Sequence, residues 1–460
     1  MLTLMKRISA LFPDNWTVIA GVAFVNLLLA VIAFLKDVIF AGYFGTTAMA
    51  DAVNMAFLLP DTIGGNLIGY VLGIAAVPHL SRIWAVGQSR QFMQAVAGLA
   101  VQCSLLLALF GLFLYLFEQQ ILGWFGYPDG AGTVRQLEQM FRLLLPCLVF
   151  MPLFAIGAAA LQTLGSFYAP AFGPVIFNVF LLLGLVVSWA SFASFELGGW
   201  IFSCSFFFGS GISAFYVWRR LIIEVRNKGS LPVGKRLSIA DSLSSFKVLS
   251  PIYRDFGPLF LVILATQCLY MVERVLASRL ETGTLAALSY AYRIAQFPNW
   301  VFIAALTSVI LPAISRAADR SSAIEGVYRA LRVTLGVMVP VAVFLCLARK
   351  PIITLLLGRG AFGPESISIT CDLLAGYSLA VIGQAVSTVC LRYFLANGRM
   401  KKVVGIFSAS ILLSIVFDVC AIDRIGPAAL GYGALLGWSV NAIWMIGLLI
   451  KESATRKVDA

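Results

Sequence analysis

The chain has 460 residues, of which 60% are hydrophobic and only 12% charged, with a mean hydropathy of +0.94 and a net charge of +12. Soluble domains carry about twice that share of charge, so the composition excludes a water-soluble globule and calls for lipid as the surrounding solvent. The eight cysteines lie in or beside apolar runs without a CxxC pair and read as small packing residues, while a lone histidine, His79, leaves no material for a histidine metal site or a catalytic triad.

Apolar runs of about 20 residues, the length that crosses a bilayer as helix, recur along the whole chain. They predict about twelve spans, near 16–42, 51–80, 92–117, 140–163, 169–191, 196–218, 256–279, 285–314, 328–348, 366–395, 403–421 and 428–450. The first, "WTVIAGVAFVNLLLAVIAFL", follows Lys6 and Arg7, exceeds a signal h-region and lacks a small-residue cleavage site, so it is read as a retained span. Its end carries Lys36 and Asp37, and Asp51 opens the second span. That second span holds Pro60, then Gly64, Gly65, Gly69 and Gly73. Gly65, Gly69 and Gly73 form a stripe that lets another helix approach, and proline beside a glycine pair is also how a membrane helix acquires a hinge. Packing and hinging are compatible readings of the same residues.

After the sixth span comes a basic stretch, "RRLIIEVRNKGSLPVGKRLSIADSLSSFKVLSPIYR". It divides the chain into an N-terminal lobe at 1–218, a linker at 219–255, a second lobe of about six spans at 256–450 and a tail at 451–460. With the N-terminus inside, 23 lysines and arginines fall on the inner side, against six outside: Arg135, Arg279, Arg349, Lys350, Arg359 and Arg424. The bias predicts that both termini and the linker are cytoplasmic, and it explains the net charge through anionic headgroups rather than nucleic acid.

The halves carry a weak parallel repeat. "LPDTIGGNLIGYVLGIAAVPHLSR" in the first corresponds to "FPNWVFIAALTSVILPAISR" in the second, and each is preceded by a charged dipeptide, Lys36-Asp37 and Glu273-Arg274, then a short Gly/Thr turn. A charge within a span costs a few kcal/mol unless it meets a partner or a watery cavity. Lys36, Asp37, Arg274 and Arg293 therefore read either as interhelical ion pairs and snorkelling residues or as the lining of a polar cavity between repeats, the plan of many transporters; their recurrence in both halves favours the cavity.

These segments resemble the MurJ/MviN-type lipid II flippases of the multidrug/oligosaccharidyl-lipid/polysaccharide exporter superfamily. The likeness runs from "KDVIFAGYFGTTAMADAVNMAFLLPD" through "SFYAPAFGPVIFNV", "ERVLASRLETGTLAALSYAYRIAQFP" and "VILPAISR" to "LLLGRGAFGPESI". The resemblance implies an all-α polytopic protein, two six-helix lobes in a V around a cationic cavity. It also implies alternating access to a polyprenyl-(pyro)phosphate-linked sugar, in peptidoglycan synthesis at the bacterial cytoplasmic membrane. Lys36 matches a family cavity arginine, Asp51 the acidic residue opening the second span, and Arg293 a cavity arginine. Ala30, Gly64, Gly65 and Gly69 depart from the family pattern, in which the first three positions are usually arginines and the fourth is acidic. The departures imply a cavity less positive than a typical member's.

The candidate substrate-binding residues are thus Lys36, Asp51, Arg293, Asp37 and Arg274, and the candidate hinge is Pro60, Gly64 and Gly65. Two other function classes fit less well. An ion-coupled exporter of small amphipathic compounds shares the architecture but not these motifs. A membrane glycan polymerase or transferase needs catalytic carboxylates on a sizeable outer loop, and segments 118–139 and 349–367 carry no such pair. The expectation is a transporter rather than an enzyme, without cofactor. Its partners are the lipid-linked sugar precursor, membrane lipids and cell-envelope synthesis proteins, and a coupling ion, H+ or Na+, has Asp51, Asp372 and Asp418 as candidate ligands.

Overall fold

The computed structural model describes residues 16–87, 89–126, 131–228, 246–315, 320–397 and 400–459. The linker segment 229–245, the chain ends at 1–15 and 460, and Arg316 at the close of the second repeat lie outside the described residues, as do the side chains at 302–315, Pro312 among them, and those of the tail from 454. No strand occurs among the described residues.

In chain order the helices are α1 (Trp16–Phe44), α2 (Ala48–Leu59), a π-helical segment (Pro60–Gly69), α3 (Tyr70–Ala85), α4 (Ser89–Leu116), α5 (Glu118–Phe125), α6 (Ala131–Leu144), α7 (Cys147–Thr163), α8 (Tyr168–Ala190) and α9 (Phe195–Asn227). Then follow α10 (Phe246–Ser278), α11 (Thr284–Ser315), α12 (Arg320–Leu347), α13 (Arg349–Leu357), α14 (Pro364–Ala396), α15 (Met400–Ile425) and α16 (Ala428–Asp459). Among the described residues, 11 helical runs are long and apolar enough to cross a membrane, and the remaining expected span, 285–314, coincides with α11. The all-helical, many-span fold expected from the apolar runs is the fold observed.

Two compact units organise these helices. The first takes the chain up to Phe40, with Ala56–Glu118 and Gln136–Gly257; the second takes Ala41–Met55, Gln119–Arg135 and everything from Pro258. In the first unit, Leu72 and Leu80 of α3, Phe92 and Leu99 of α4, Ile156 of α7 and Leu221 of α9 form one buried cluster, which Leu249 and Ile252 at the start of α10 complete. Large apolar side chains on the opposite faces stay exposed, as with Leu105, Leu109 and Leu112 of α4, which is the pattern of a helix that meets lipid on one side. In the second unit Val262, Val327, Leu331, Val386, Tyr393, Phe407 and Met445 pack together. There α14 and α16 touch backbone to backbone: a side chain at Gly376 would strike Gly431, and one at Gly383 would strike the carbonyl of Trp438. Small residues replace the hydrophobic effect as the means of holding helices together in lipid.

The second span, α2 through α3, departs from α geometry where proline and glycine predicted a bend. Pro60 has no N–H to give, and its ring displaces the preceding turn, so the ladder widens by one residue. Tyr70 N–H reaches back five residues to the Gly65 carbonyl, and Asn66 Nδ2 donates to Asp61 Oδ2 at 3.1 Å, also five residues apart. Gly64 fits this segment against α7: an added Cβ would lie 3.1 Å from Leu148 Cα and 3.2 Å from its carbonyl oxygen. Gly65 is less confined, with Met151 Sδ at 3.1 Å from the position of a Cβ.

Candidate functional site

Lys36 and Asp37 stand near the end of α1, and their side chains are 13% and 20% exposed. Lys36 Nζ lies 2.9 Å from Asp37 Oδ1, so the two neighbours are bridged by the long lysine side chain although successive helical positions point about 100° apart. A cation already holding its own counter-ion costs less to keep in an apolar span, and it can exchange that partner for an incoming anion.

Asp51 is buried in the second unit, in the first turn of α2. Its carboxylate accepts the Gly283 N–H at 2.6 Å and the Ala286 N–H at 2.8 Å. It therefore caps the N-terminus of α11 from another helix, where free N–H groups and the helix dipole both favour an anion. The fit needs Gly283, whose φ is +90° and whose Cα sits against the Thr46 backbone. The same neighbourhood is closed by the Tyr290 hydroxyl donating to the Gly45 carbonyl at 2.7 Å, the Ala361 N–H donating to the Gly42 carbonyl at 2.8 Å and a 2.7 Å bond between the Thr46 and Ser366 hydroxyls. Segment 41–55 is thus stitched to the 281–286 and 358–363 turns.

Arg293 is partly exposed on α11. One turn further along the same helix, Gln296 donates to Gln384 at 2.5 Å and accepts from Asn299 at 3.1 Å, which makes a polar row through an otherwise apolar helix. Arg274, by contrast, is buried. Its guanidinium carbon lies 3.0 Å from the centre of the Tyr270 ring and 5.5 Å from that of Tyr292, and Nη1 donates to the Tyr270 carbonyl at 3.0 Å. Cation–π stacking and a backbone acceptor replace the water that this charge has lost.

Around Arg274 the second unit gathers two further charges. Glu273 is buried beside it, with the Tyr377 hydroxyl adjacent but outside hydrogen-bond geometry. Asp418 of α15 is fully buried, lies against Gly433 of α16, and neither of its carboxylate oxygens has a hydrogen-bond partner. A carboxylate in such a place needs a proton or a cation. The sequence marked Asp418 and the Glu273-Arg274 dipeptide separately; Tyr270, Tyr292 and Tyr377, which join them, carried no signal beyond their aromatic character. A second pairing also escaped the sequence: Arg142 Nε donates to both oxygens of buried Glu118, at 3.0 and 2.8 Å, across 24 residues. Among the described residues no cluster of histidine, cysteine, aspartate or glutamate has the makings of a metal site.

The structure therefore holds Lys36, Asp37, Pro60, Gly64 and Gly65 in the first unit and Asp51, Arg274 and Arg293 in the second. Comparison with known proteins adds what geometry alone does not supply. The family model described as lipid II flippase MurJ matches residues 40–459. A protein of Rhizobium meliloti named "Probable lipid II flippase MurJ" is 25% identical over 424 residues, covering 91% of this chain and 77% of its own length. The lipid II flippase MurJ of Burkholderia cenocepacia is 23% identical over 435 residues, covering 91% and 80%. A solved structure of lipid II flippase MurJ in an inward closed conformation superposes with a TM-score of 0.78 at 21% identity, covering 93% of this chain and 87% of that one. An inward-facing multidrug resistance transporter of the MATE family, described as of the MOP superfamily, superposes with a TM-score of 0.74 at 15% identity, covering 94% and 96%, and at that identity the likeness is one of fold. Since the family model spans nearly the whole chain, the protein belongs to the lipid II flippase MurJ family.

Proposed function

We propose that the protein moves a polyprenyl-(pyro)phosphate-linked sugar, lipid II or a related lipid-linked glycan, across the bacterial cytoplasmic membrane by alternating access, with both termini on the cytoplasmic side. Family membership over residues 40–459 carries this reading. The cations kept within apolar spans support it physically. A pyrophosphate bears two to three negative charges and cannot enter hydrocarbon unaided, so a carrier must offer fixed cations out of contact with lipid. Lys36, held by Asp37, and Arg293, on the polar row of α11, are those cations in this proposal: arginine grips the phosphate bidentately and lysine adds a point charge. Arg274, buried on its tyrosines, supports the second unit from within. Asp51 acts as a latch, because the backbone bonds it accepts must open whenever the 41–55 segment parts from the turn before α11.

The drive has two components in this proposal. Membrane potential acts on the anionic headgroup with about 2.3 kcal/mol per charge per 100 mV. Asp418, buried without a hydrogen bond, is the place where H+ or Na+ would bind to couple the second unit to an ion gradient. No covalent step is required, and cell-envelope synthesis proteins would supply the precursor and consume it.

The test is transport by reconstituted Lys36→Ala and Arg293→Ala proteins. Each is expected to remain folded in the membrane and to lose most flipping of the lipid-linked sugar. Normal flipping by the double variant would refute the assignment.

A further inference from the structure

A cavity of about 540 Å³ opens in the second unit where α12 ends, α13 runs and α14 begins. Its lining includes Leu347, Arg349, Lys350, Thr354, Ser368 and Asp372. The volume lies within the roughly 300–1,000 Å³ of small-molecule sites. None of the candidate substrate-binding or hinge residues lines it, although Asp372, one of the three candidate ligands for a coupling ion, does.

Its depth in the membrane follows from the spans on either side. One apolar span ends at Leu347 and the next starts at Pro364, so the cavity sits where hydrocarbon gives way to headgroups. It is also at the end of the second unit's helices opposite the end at which the linker joins α10, since α10, α11 and α12 run alternately. Beside it, Leu347 and Leu355 are each 77% exposed and Phe344 is 62% exposed, which offers apolar surface to acyl chains just below a polar recess.

The electrostatics of the recess ask for an anion. Arg349 and Lys350 occupy the first two positions of α13, whose Ala348 cap gives no side-chain hydrogen bond. Cations there oppose the helix dipole instead of complementing it. The first turns of α14 reach the same cavity from their own positive end, where Gly363 likewise gives no side-chain cap and Glu365 answers part of the dipole. Arg349 spends one donor on the Cys346 carbonyl at 2.8 Å, and no ion pair within 4.0 Å joins either cation to a carboxylate among the described residues. Two cations and two helix N-termini face a single carboxylate on the wall, Asp372. Membrane anchors that snorkel to water would need neither a cavity of this volume nor a carboxylate and hydroxyls in its lining.

We infer that this cavity is a binding site for the headgroup of a glycerophospholipid. The phosphodiester lies between Arg349 and Lys350, the ammonium or hydroxyl groups beyond it hydrogen-bond to Asp372, Thr354 and Ser368, and the acyl chains run along Phe344, Leu347 and Leu355. The inference is independent of what the protein flips.

Native mass spectrometry of the full-length protein, delipidated and then offered phosphatidylethanolamine, phosphatidylglycerol or phosphate-free diacylglycerol, tests it. One retained phospholipid per chain is expected, with diacylglycerol retained about tenfold less, the ratio that loss of one charge-assisted hydrogen bond predicts. Arg349→Gln combined with Lys350→Gln should lower retention by a similar factor. Ser368→Trp, which fills the recess and keeps its charges, should do the same if the charge variant fails to fold. Millimolar inorganic phosphate should not displace the lipid. Retention unchanged in the foldable variants, or equal retention of diacylglycerol, would overturn the site; displacement by phosphate would overturn the lipid in favour of a free anion.

Discussion

Replacing Gly64 and Gly65 by alanine one at a time separates two roles that the same short segment combines. At Gly64 the new methyl group would press on Leu148 Cα at 3.1 Å and on its carbonyl oxygen at 3.2 Å, both backbone atoms of a helix that cannot yield locally. Overpacking of this kind costs about 1–3 kcal/mol, against a gain of about 0.5–1 kcal/mol for alanine over glycine in a helix. Gly64→Ala should therefore be destabilised by up to about 2 kcal/mol. At Gly65 the methyl group meets Met151 Sδ, the far end of a flexible side chain that can swing aside, and Asp61 Oδ1 only at 3.6 Å. Gly65→Ala should thus be as stable as the parent or more so by about 0.5–1 kcal/mol. Thermal unfolding in detergent measures the difference, and flipping in vesicles measures the consequence. If the π-helical segment must change shape during the cycle, Gly65→Ala will be stable and slow. Equal stability of the two variants would refute the packing geometry, and normal flipping by Gly65→Ala would refute the hinge.

Three further outcomes are expected. Asp51→Asn keeps one acceptor for the α11 N-terminus and loses the charge, which weakens two backbone bonds by about 1–3 kcal/mol together; thiol labelling of a cysteine placed at Thr46 should rise, and unchanged labelling would remove the latch. Asp418→Asn should abolish any dependence of flipping on a proton or sodium gradient while the membrane-potential component persists; an unaltered ion dependence would place coupling elsewhere. A cysteine at position 228 should react with impermeant reagents only from the cytoplasmic side, and labelling in intact cells would reverse the topology argued from the basic residues.

What the sequence made legible is what depends on local composition. Spans could be placed because about 20 apolar residues in a row have one cheap conformation in lipid, and the irregular backbone at 60–69 because Pro60 removes a donor wherever it sits. The family could be read from several segments in a fixed order. Pairings between helices were not legible, because nothing in a string fixes which faces meet. Lys36 and Asp37 were visible as charges, but their mutual ion pair depends on the lysine rotamer. Arg142 and Glu118 are 24 residues apart, and Asp418 comes within electrostatic reach of Glu273 only through the packing of the second unit's helices. Asp51 was singled out by its charge at a helix start; that it caps α11 as well as opening α2 depends on a turn 232 residues later.

Reconstituting the purified protein in vesicles that carry a fluorescent or enzymatically detectable lipid-linked sugar, and comparing its turnover with uptake of small amphipathic drugs by the same preparation, separates a flippase of lipid-linked sugars from a drug exporter. The lipid-linked sugar is expected to be flipped by the parent protein and not by the Lys36→Ala, Arg293→Ala double variant, with no drug uptake above empty vesicles. Drug uptake without flipping of the lipid-linked sugar would refute the proposed function.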